Sequence, residues 1–294
     1  MLTFFPNQFF NAHTLPKKKY DKARAEKVRD ACQKLSPKQQ FATALDLKSK
    51  RKEVIKITTG ASALDAILGG GLETGSITEV FGEFRTGKTQ LAHTICVTSQ
   101  LSFGARGGQG KVIYMDTEGN FRPERIEAIA NRYGLEVEQT LENIIVSRVY
   151  THEQQMEAIK HICALLADID QGPFRIIIID SIISLFRVEF SGRGELSERQ
   201  QKLGQHLAHL VKMAEEFNVV VFLVNQCMAD PGALNMFGPV VKPVGGHVLA
   251  HASTTRIQLK KGKAEQRIAK IFDSPLMPEE EATFAITDGG IADI

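Results

Sequence analysis

Residues Gly82-Glu83-Phe84-Arg85-Thr86-Gly87-Lys88-Thr89 satisfy G-x-x-x-x-G-K-[ST] at every required position. These residue types specify the gripping of a polyphosphate. Gly82 and Gly87 let the backbone curl until its N–H groups face a phosphate. Lys88 sets a cation between the last two phosphates, and the Thr89 hydroxyl offers an oxygen ligand to Mg2+. The apolar run SITEVF precedes the loop and the helix-forming KTQLAHTICVTSQL follows it, the strand and helix such a loop needs. A chance glycine-rich turn is the plainer alternative, but it would not require those flanks.

Two carboxylates complete this chemistry. Arg175-Ile-Ile-Ile-Ile-Asp180 is an apolar strand ending in an acid, and an α/β sheet presents its ligand residues at such ends. Asp180 is therefore the expected outer anchor of the Mg2+; its other reading is an Asp capping the next turn. The run KVIYMD ends likewise, at Asp116-Thr117-Glu118. Glu118 is the candidate base for a water attacking the terminal phosphate, against the alternative of an exposed loop acid.

Such residues need a scaffold, and the 294 residues supply enough chain for one large domain or two ordinary ones. A content of 43% hydrophobic and 24% charged residues is that of a globular chain. No stretch approaches the ~20 apolar residues of a membrane helix, so no membrane partner is expected. The opening MLTFFPNQFF lacks the basic start of a secretory signal. Cys32, Cys96, Cys163 and Cys227 form no C-x-x-C pair and read as reduced thiols of an intracellular protein. Charge is uneven: residues 1–56 hold 14 Lys+Arg against 5 Asp+Glu, a net of +9 where the whole chain has +2, so the remainder carries −7. A basic arm on an acidic body suits an anionic polymer, or is simply a solvated helix face.

Residues 19–36 have helical composition, with Ala25, Val28, Cys32 and Leu35 on one stripe, and Ser36-Pro37 ends that helix. The lysine-rich stretch around 46–56 reads as a linker. From Ile57 onward SITEVFG, KVIYMD, IIVSRVY, RIIIID and VVVFLVN read as buried strands, with helices over 88–101, 152–167 and 196–217 between them. Apolar strands alternating with helices predict an α/β fold with a mostly parallel central sheet. TRIQLKK, RIAKIFD and ATFAITDGG predict an antiparallel extension. Arg187, Arg193 and Arg199 lie around Phe190 and two glycines in FRVEFSGRGELSER, a pattern for gripping a nucleic-acid backbone or for an ordinary surface loop. The stretch 227–246, rich in Pro and Gly, reads as a long functional loop in which Met236, Phe237 and Val240 either wedge between bases or pack on the body.

GEFRTGKTQLAHT, DTEGNFRPER, SLFRVEFSGRGELSERQQKL, GGHVLAHASTTRI and IFDSPLMPEEEATFAI together resemble the RecA-like, RadA-type strand-exchange recombinases of eukaryotes and archaea. The resemblance covers about residues 19–294. Within it, NQCMADPGA is similar to the meiosis-specific branch through Asp230-Pro231-Gly232.

The resemblance implies a RecA-type ATPase core over 57–294, using ATP and Mg2+. It implies Lys88, Glu118 and Gln226 in catalysis, with Gln226 sensing the terminal phosphate, and Arg125 beside the adenine. Residues Asp273 to Pro278 match a cap over the nucleotide of the adjacent protomer, and His251 a residue near that junction. Phe41-Ala-Thr-Ala44 matches the F-x-x-A tether, by which Phe41 and Ala44 insert into a neighbour. Residues 19–36 match the last helix of a helix-hairpin-helix domain, 37–56 the linker, and 1–18 match nothing and are a candidate for disorder. The implied partners are single- and double-stranded DNA, further copies of the chain in a filament or ring, and recombination mediators, in the nucleus. An accessory paralogue that only stabilises filaments, or a ring helicase, would share the phosphate loop.

Overall fold

The computed structural model describes residues 41–190, 192, 194–235 and 238–294, with the backbone alone at 229–235 and 238–241. Residues 1–18 and the helix expected over 19–36 lie outside the described residues, as do Arg193, Met236 and Phe237.

Strand β1 (Lys56–Ile57) pairs antiparallel with β2 (Leu72–Glu73) in a small sheet. The other strands are β3 (Ser76–Gly82), β4 (Lys111–Asp116), β5 (Ile144–Arg148), β6 (Phe174–Asp180), β7 (Val220–Asn235), β8 (Gly238–Pro243), β9 (Thr255–Lys261), β10 (Gln266–Asp273), β11 (Glu281–Thr287) and β12 (Gly290–Ala292). They form one sheet in the order β12-β11-β10-β9-β3-β7-β6-β4-β5, with β8 paired to β7 off that path. Pairing is parallel from β9 through β5 and antiparallel from β9 through β12. This is the expected parallel core with its antiparallel extension.

Strands β3, β4, β6 and the first half of β7 are buried on both faces, whereas β5, at the sheet edge, exposes Val146; the period of two along the buried strands divides the core. Ile176 and Ile178 of β6 join one cluster with Leu91 and Ile95 of helix Lys88–Thr98 and Ile126 and Ile129 of helix Pro123–Tyr133. Ile177 and Ile179 join the other, with Ile159 and Ile162 of helix His152–Ala167 and Leu203, Leu207 and Leu210 of helix Leu196–Phe217. Local signals set the helix ends. Helix Pro123–Tyr133 begins with Pro at its first turn and stops at Gly134, which takes φ 66°.

Register decides what lies at the functional edge. Asp116 pairs with Asp180, Asp180 with Val224, and Gly82 with Gln226. The carboxyl ends of β3, β4 and β6 and the Gln226 position of β7 therefore stand in one row, where α/β sheets bind ligands.

Two segments differ from expectation. The linker contains a helix, Ala44–Lys50, because Thr43 and Asp46 form a capping box and Lys48 and Lys50 occupy its last turn. None of its residues is buried. The stretch after Gln226 is not a loop: β7 runs on to Asn235 and pairs back with β8. Its register shifts between Asp230 and Leu234, around Pro231-Gly232, and a bulge is where a strand tolerates Pro.

Candidate active site

The phosphate loop leaves β3 at Gly82 and enters helix Lys88–Thr98 at Gly87, whose φ of 101° favours glycine. A Cβ at Gly82 would meet the Leu259 carbonyl oxygen at 2.4 Å and Thr86 Oγ1 at 2.8 Å, so the tight curl excludes side chains. Thr86 Oγ1 donates to the Glu83 carbonyl at 2.8 Å and holds the curl closed. Lys88 Nζ donates to the carbonyls of Gly82 and Glu83, each at 2.8 Å. Burial holds the Lys88 ammonium below the usual lysine range, with Cys227, Asp180 and Glu118 opposing that shift. Phe84 stands exposed beside the loop with the Arg85 guanidinium 5.2 Å above its ring.

Thr89 Oγ1 donates to Asp180 Oδ2 at 2.7 Å, and Tyr114 OH donates to the same oxygen at 3.0 Å. Burial pushes the Asp180 carboxyl up to about 6, and those two hydrogen bonds oppose the shift. A hydroxyl and a carboxylate side by side at a helix N-terminus are hard oxygen donors suited to Mg2+. The residues present therefore fit the ion.

Glu118 stands opposite. Its Oε1 accepts from Gln226 Nε2 at 2.7 Å and from Ser181 Oγ at 2.8 Å, while its Oε2 has, among the described residues, only Asn120 Nδ2, at 3.4 Å. Asp116 builds the turn that carries it, its Oδ1 accepting the N–H groups of Glu118, Gly119 and Asn120 at 3.0, 2.6 and 3.2 Å. Gln226 Oε1 accepts from Arg187 Nη1 at 2.9 Å. A chain of hydrogen bonds thus runs from Arg187, on helix Ser184–Glu189, to Glu118.

These groups surround one cavity of about 1130 Å³, lined by the loop, Glu118, Arg125, Asp180 and Gln226. Arg125 closes one end, its Nε on Gln90 Oε1 at 2.7 Å and its Nη atoms on the carbonyls of Thr287 and Asp288. Sequence reasoning missed Ser181, Cys227, Arg267 and Ile286–Asp288 in this wall. Ser181 follows Asp180 and was open to discovery, whereas residues 286–288 arrive from β11 by sheet order alone.

Other expected residues are not brought there. Asp273–Pro278 and His251 do not line the cavity of their own protomer. Ser274 Oγ accepts from the N–H groups of Leu276 and Met277, each at 3.3 Å, and shapes the Asp273–Pro278 segment. Phe41 is 90% exposed and Ala44 exposed on the linker helix. Arg187 and Arg199 line a second cavity, with Leu196, Met228 and Val244. Phe190 lines that cavity with the two arginines, 9% exposed, its ring edge-on to His152 at 4.8 Å and 5.3 Å from Lys202 Nζ.

A family model described as Rad51 matches residues 50–294. The chain belongs to the Rad51 family. Among its relatives in that family, "Meiotic recombination protein DMC1 homolog A" of Oryza sativa subsp. indica is 56% identical over 271 residues, 92% of this chain and 78% of that protein. The "Meiotic recombination protein DMC1/LIM15 homolog" of Mus musculus is 55% identical, and that of Homo sapiens 54%, each over 92% of this chain and 79% of the relative. No described helix is long and apolar enough to cross a membrane.

Proposed function

We propose that this Rad51-family chain is a DNA-dependent ATPase that assembles on single-stranded DNA and catalyses homologous pairing and strand exchange in meiotic recombination and double-strand break repair. The observation that carries the reading is the Arg187–Gln226–Glu118 chain, which joins an arginine of the DNA-facing segment to the acid in the phosphate cavity. Lys88 faces the two terminal phosphates of ATP, and the loop N–H groups hold them. Thr89 and Asp180 would hold Mg2+, which supplies neutralisation of phosphate charge. Gln226 and Ser181 fix Glu118 Oε1, leaving Oε2 to take the proton of the attacking water. Arg125 flanks the adenine. Arg187, Phe190, Arg193 and Arg199 contact the DNA backbone, and Met236 and Phe237 wedge between its bases.

Assembly follows from parts that do not line the chain's own cavity. Phe41 and Ala44 insert into a neighbouring copy, and Asp273 to Pro278 cover that neighbour's nucleotide, building a filament or ring. The expected setting is the nucleus, with mediator proteins as further partners. The relatives named as meiotic recombination proteins support the biological role. The test is ATP hydrolysis with and without single-stranded DNA, beside D-loop formation, on the purified chain. DNA-stimulated hydrolysis with D-loops is expected. Filament binding without D-loops would make the chain an accessory paralogue instead.

A further inference from the structure

Behind the cavity lies a buried polar cluster that touches neither nucleotide nor DNA in the reading above. Glu79 of β3 and Asn225 of β7 are each 0% exposed, and Arg256 of β9 is 6% exposed. Glu79 Oε2 accepts from Arg256 Nε at 2.6 Å and from Ser253 Oγ at 3.3 Å. Glu79 Oε1 accepts from Asn225 Nδ2 at 2.7 Å and from Arg256 Nη2 at 3.4 Å. The guanidinium lies 5.4 Å from the rings of both Phe81 and Phe272, which meet each other edge to face at 5.1 Å and form one aromatic wall beside the ion pair.

The consequence falls on Gln226. Asn225 Nδ2 donates both to Glu79 and to the Val244 carbonyl, the latter at 2.7 Å, so its two amide hydrogens are committed to acceptors. Its orientation is thereby set, and Oδ1 faces the N–H of Gln226 at 2.8 Å. The Gln226 side chain then spans Arg187 and Glu118 at 2.9 and 2.7 Å. A buried ion pair is often replaceable by apolar groups with no loss of stability, so stability alone does not account for Glu79.

We infer that Glu79 is a positioning residue, whose carboxylate orients the Asn225 amide and through it holds Gln226 against Glu118. The inference rests on the functional reading, in which Glu118 and Gln226 act on the attacking water. Turnover depends on that alignment, whereas nucleotide affinity comes from the phosphate loop and Arg125. Loss of the link should lower kcat and leave KM.

The experiment compares two double variants of the full chain in DNA-stimulated ATP hydrolysis. Glu79→Leu/Arg256→Met removes both buried charges and the acceptor for Asn225. Glu79→Gln/Arg256→Met removes the same charges but keeps an acceptor oxygen. The first should lose at least about tenfold in kcat with KM for ATP within twofold; the second should recover to within about threefold of wild type. Equal kcat in the two, or a KM rising in step with the lost kcat, would overturn the inference. Should the Leu variant not fold, Asn225→Ala, which keeps the ion pair, decides: lowered kcat at unchanged KM supports the link, and wild-type kcat removes it. A wild-type chain that hydrolyses no ATP sinks the functional reading and this inference together; active wild type with unaffected variants sinks the inference alone.

Discussion

At the residue scale the site separates holding from reacting. Lys88 is desolvated and aimed at its own loop carbonyls, so a bound phosphate exchanges two neutral acceptors for charged ones. Lys88→Ala should weaken nucleotide binding by roughly 10- to 100-fold, the scale of one charged hydrogen-bonding group, measured by titration of a fluorescent ATP analogue. Lys88→Arg should bind ATP but turn it over poorly, because a planar fork does not reproduce a point charge. Normal turnover by the Arg variant would contradict the role given to Lys88. Glu118 has the opposite signature: one oxygen is engaged by Gln226 and Ser181 and the other is nearly free. Glu118→Gln should retain nucleotide affinity and lose roughly 10²- to 10⁴-fold in kcat, and its filaments should persist on DNA. Wild-type hydrolysis in that variant would place the base elsewhere.

At the element scale, helix Ala44–Lys50 is held by its own caps and buries nothing, with Leu45 and Leu47 exposed beside Phe41. Isolated helices this short are marginal in water, so one that buries none of its residues and exposes Leu45 and Leu47 is suited to contact with something else. Phe41→Glu should leave the thermal midpoint of the free protomer where it was, since Phe41 is 90% exposed there. It should abolish filament formation with DNA, because a charge in the receiving pocket costs at least the roughly 2–4 kcal/mol of a lost hot-spot anchor. Sedimentation with DNA beside thermal melting reads both quantities. Long filaments from the Glu variant would end the tether reading.

The whole molecule carries buried titratable groups whose effects on stability oppose one another. Burial pushes His93 down to about 4 and His206 down to about 3. His93 accepts the Arg122 N–H at Nε2, 3.1 Å away, so its proton sits on Nδ1 toward the Thr89 carbonyl. An unfolded chain protonates these histidines from about pH 6.5 downward while the folded chain refuses. Their contribution is full above pH 6.5 and is lost as pH falls toward 4 and 3, at about 1.4 kcal/mol per unit and residue. Asp180 has the reverse sign: raised to about 6, it favours the folded state below the unfolded carboxyl range and loses that contribution as pH rises toward 6. Two histidines outweigh one acid, so the urea midpoint should drop between pH 7 and pH 5. His206→Leu should make the drop shallower; an unchanged slope would place the proton uptake on other groups.

Local spacing by itself determined the phosphate loop, the strand ending at Asp180, the acid at Glu118 and the alternation of strands with helices. Each of these is a property of a few consecutive residues, and a glycine, a lysine or a β-branched run has the same preference wherever it lies in the chain. The capping box at Thr43 and Asp46 was legible for the same reason but passed over under the lysines around it. Phe190 reads from sequence as a nucleic-acid contact; how much of its ring stays open in the cavity it shares with Arg187 and Arg199 is decided only by the approach of helices His152–Ala167 and Leu196–Phe217. The arm after Gln226 reads as a loop, since Pro and Gly break strands locally, whereas pairing across β7 and β8 absorbs them in a bulge. Glu79, Asn225 and Arg256 have no shared motif and lie far apart in the chain. Sheet order sets β7 and β9 on either side of β3, and burial then drives their polar groups to pair with one another and with the nearby Ser253 hydroxyl and Val244 carbonyl.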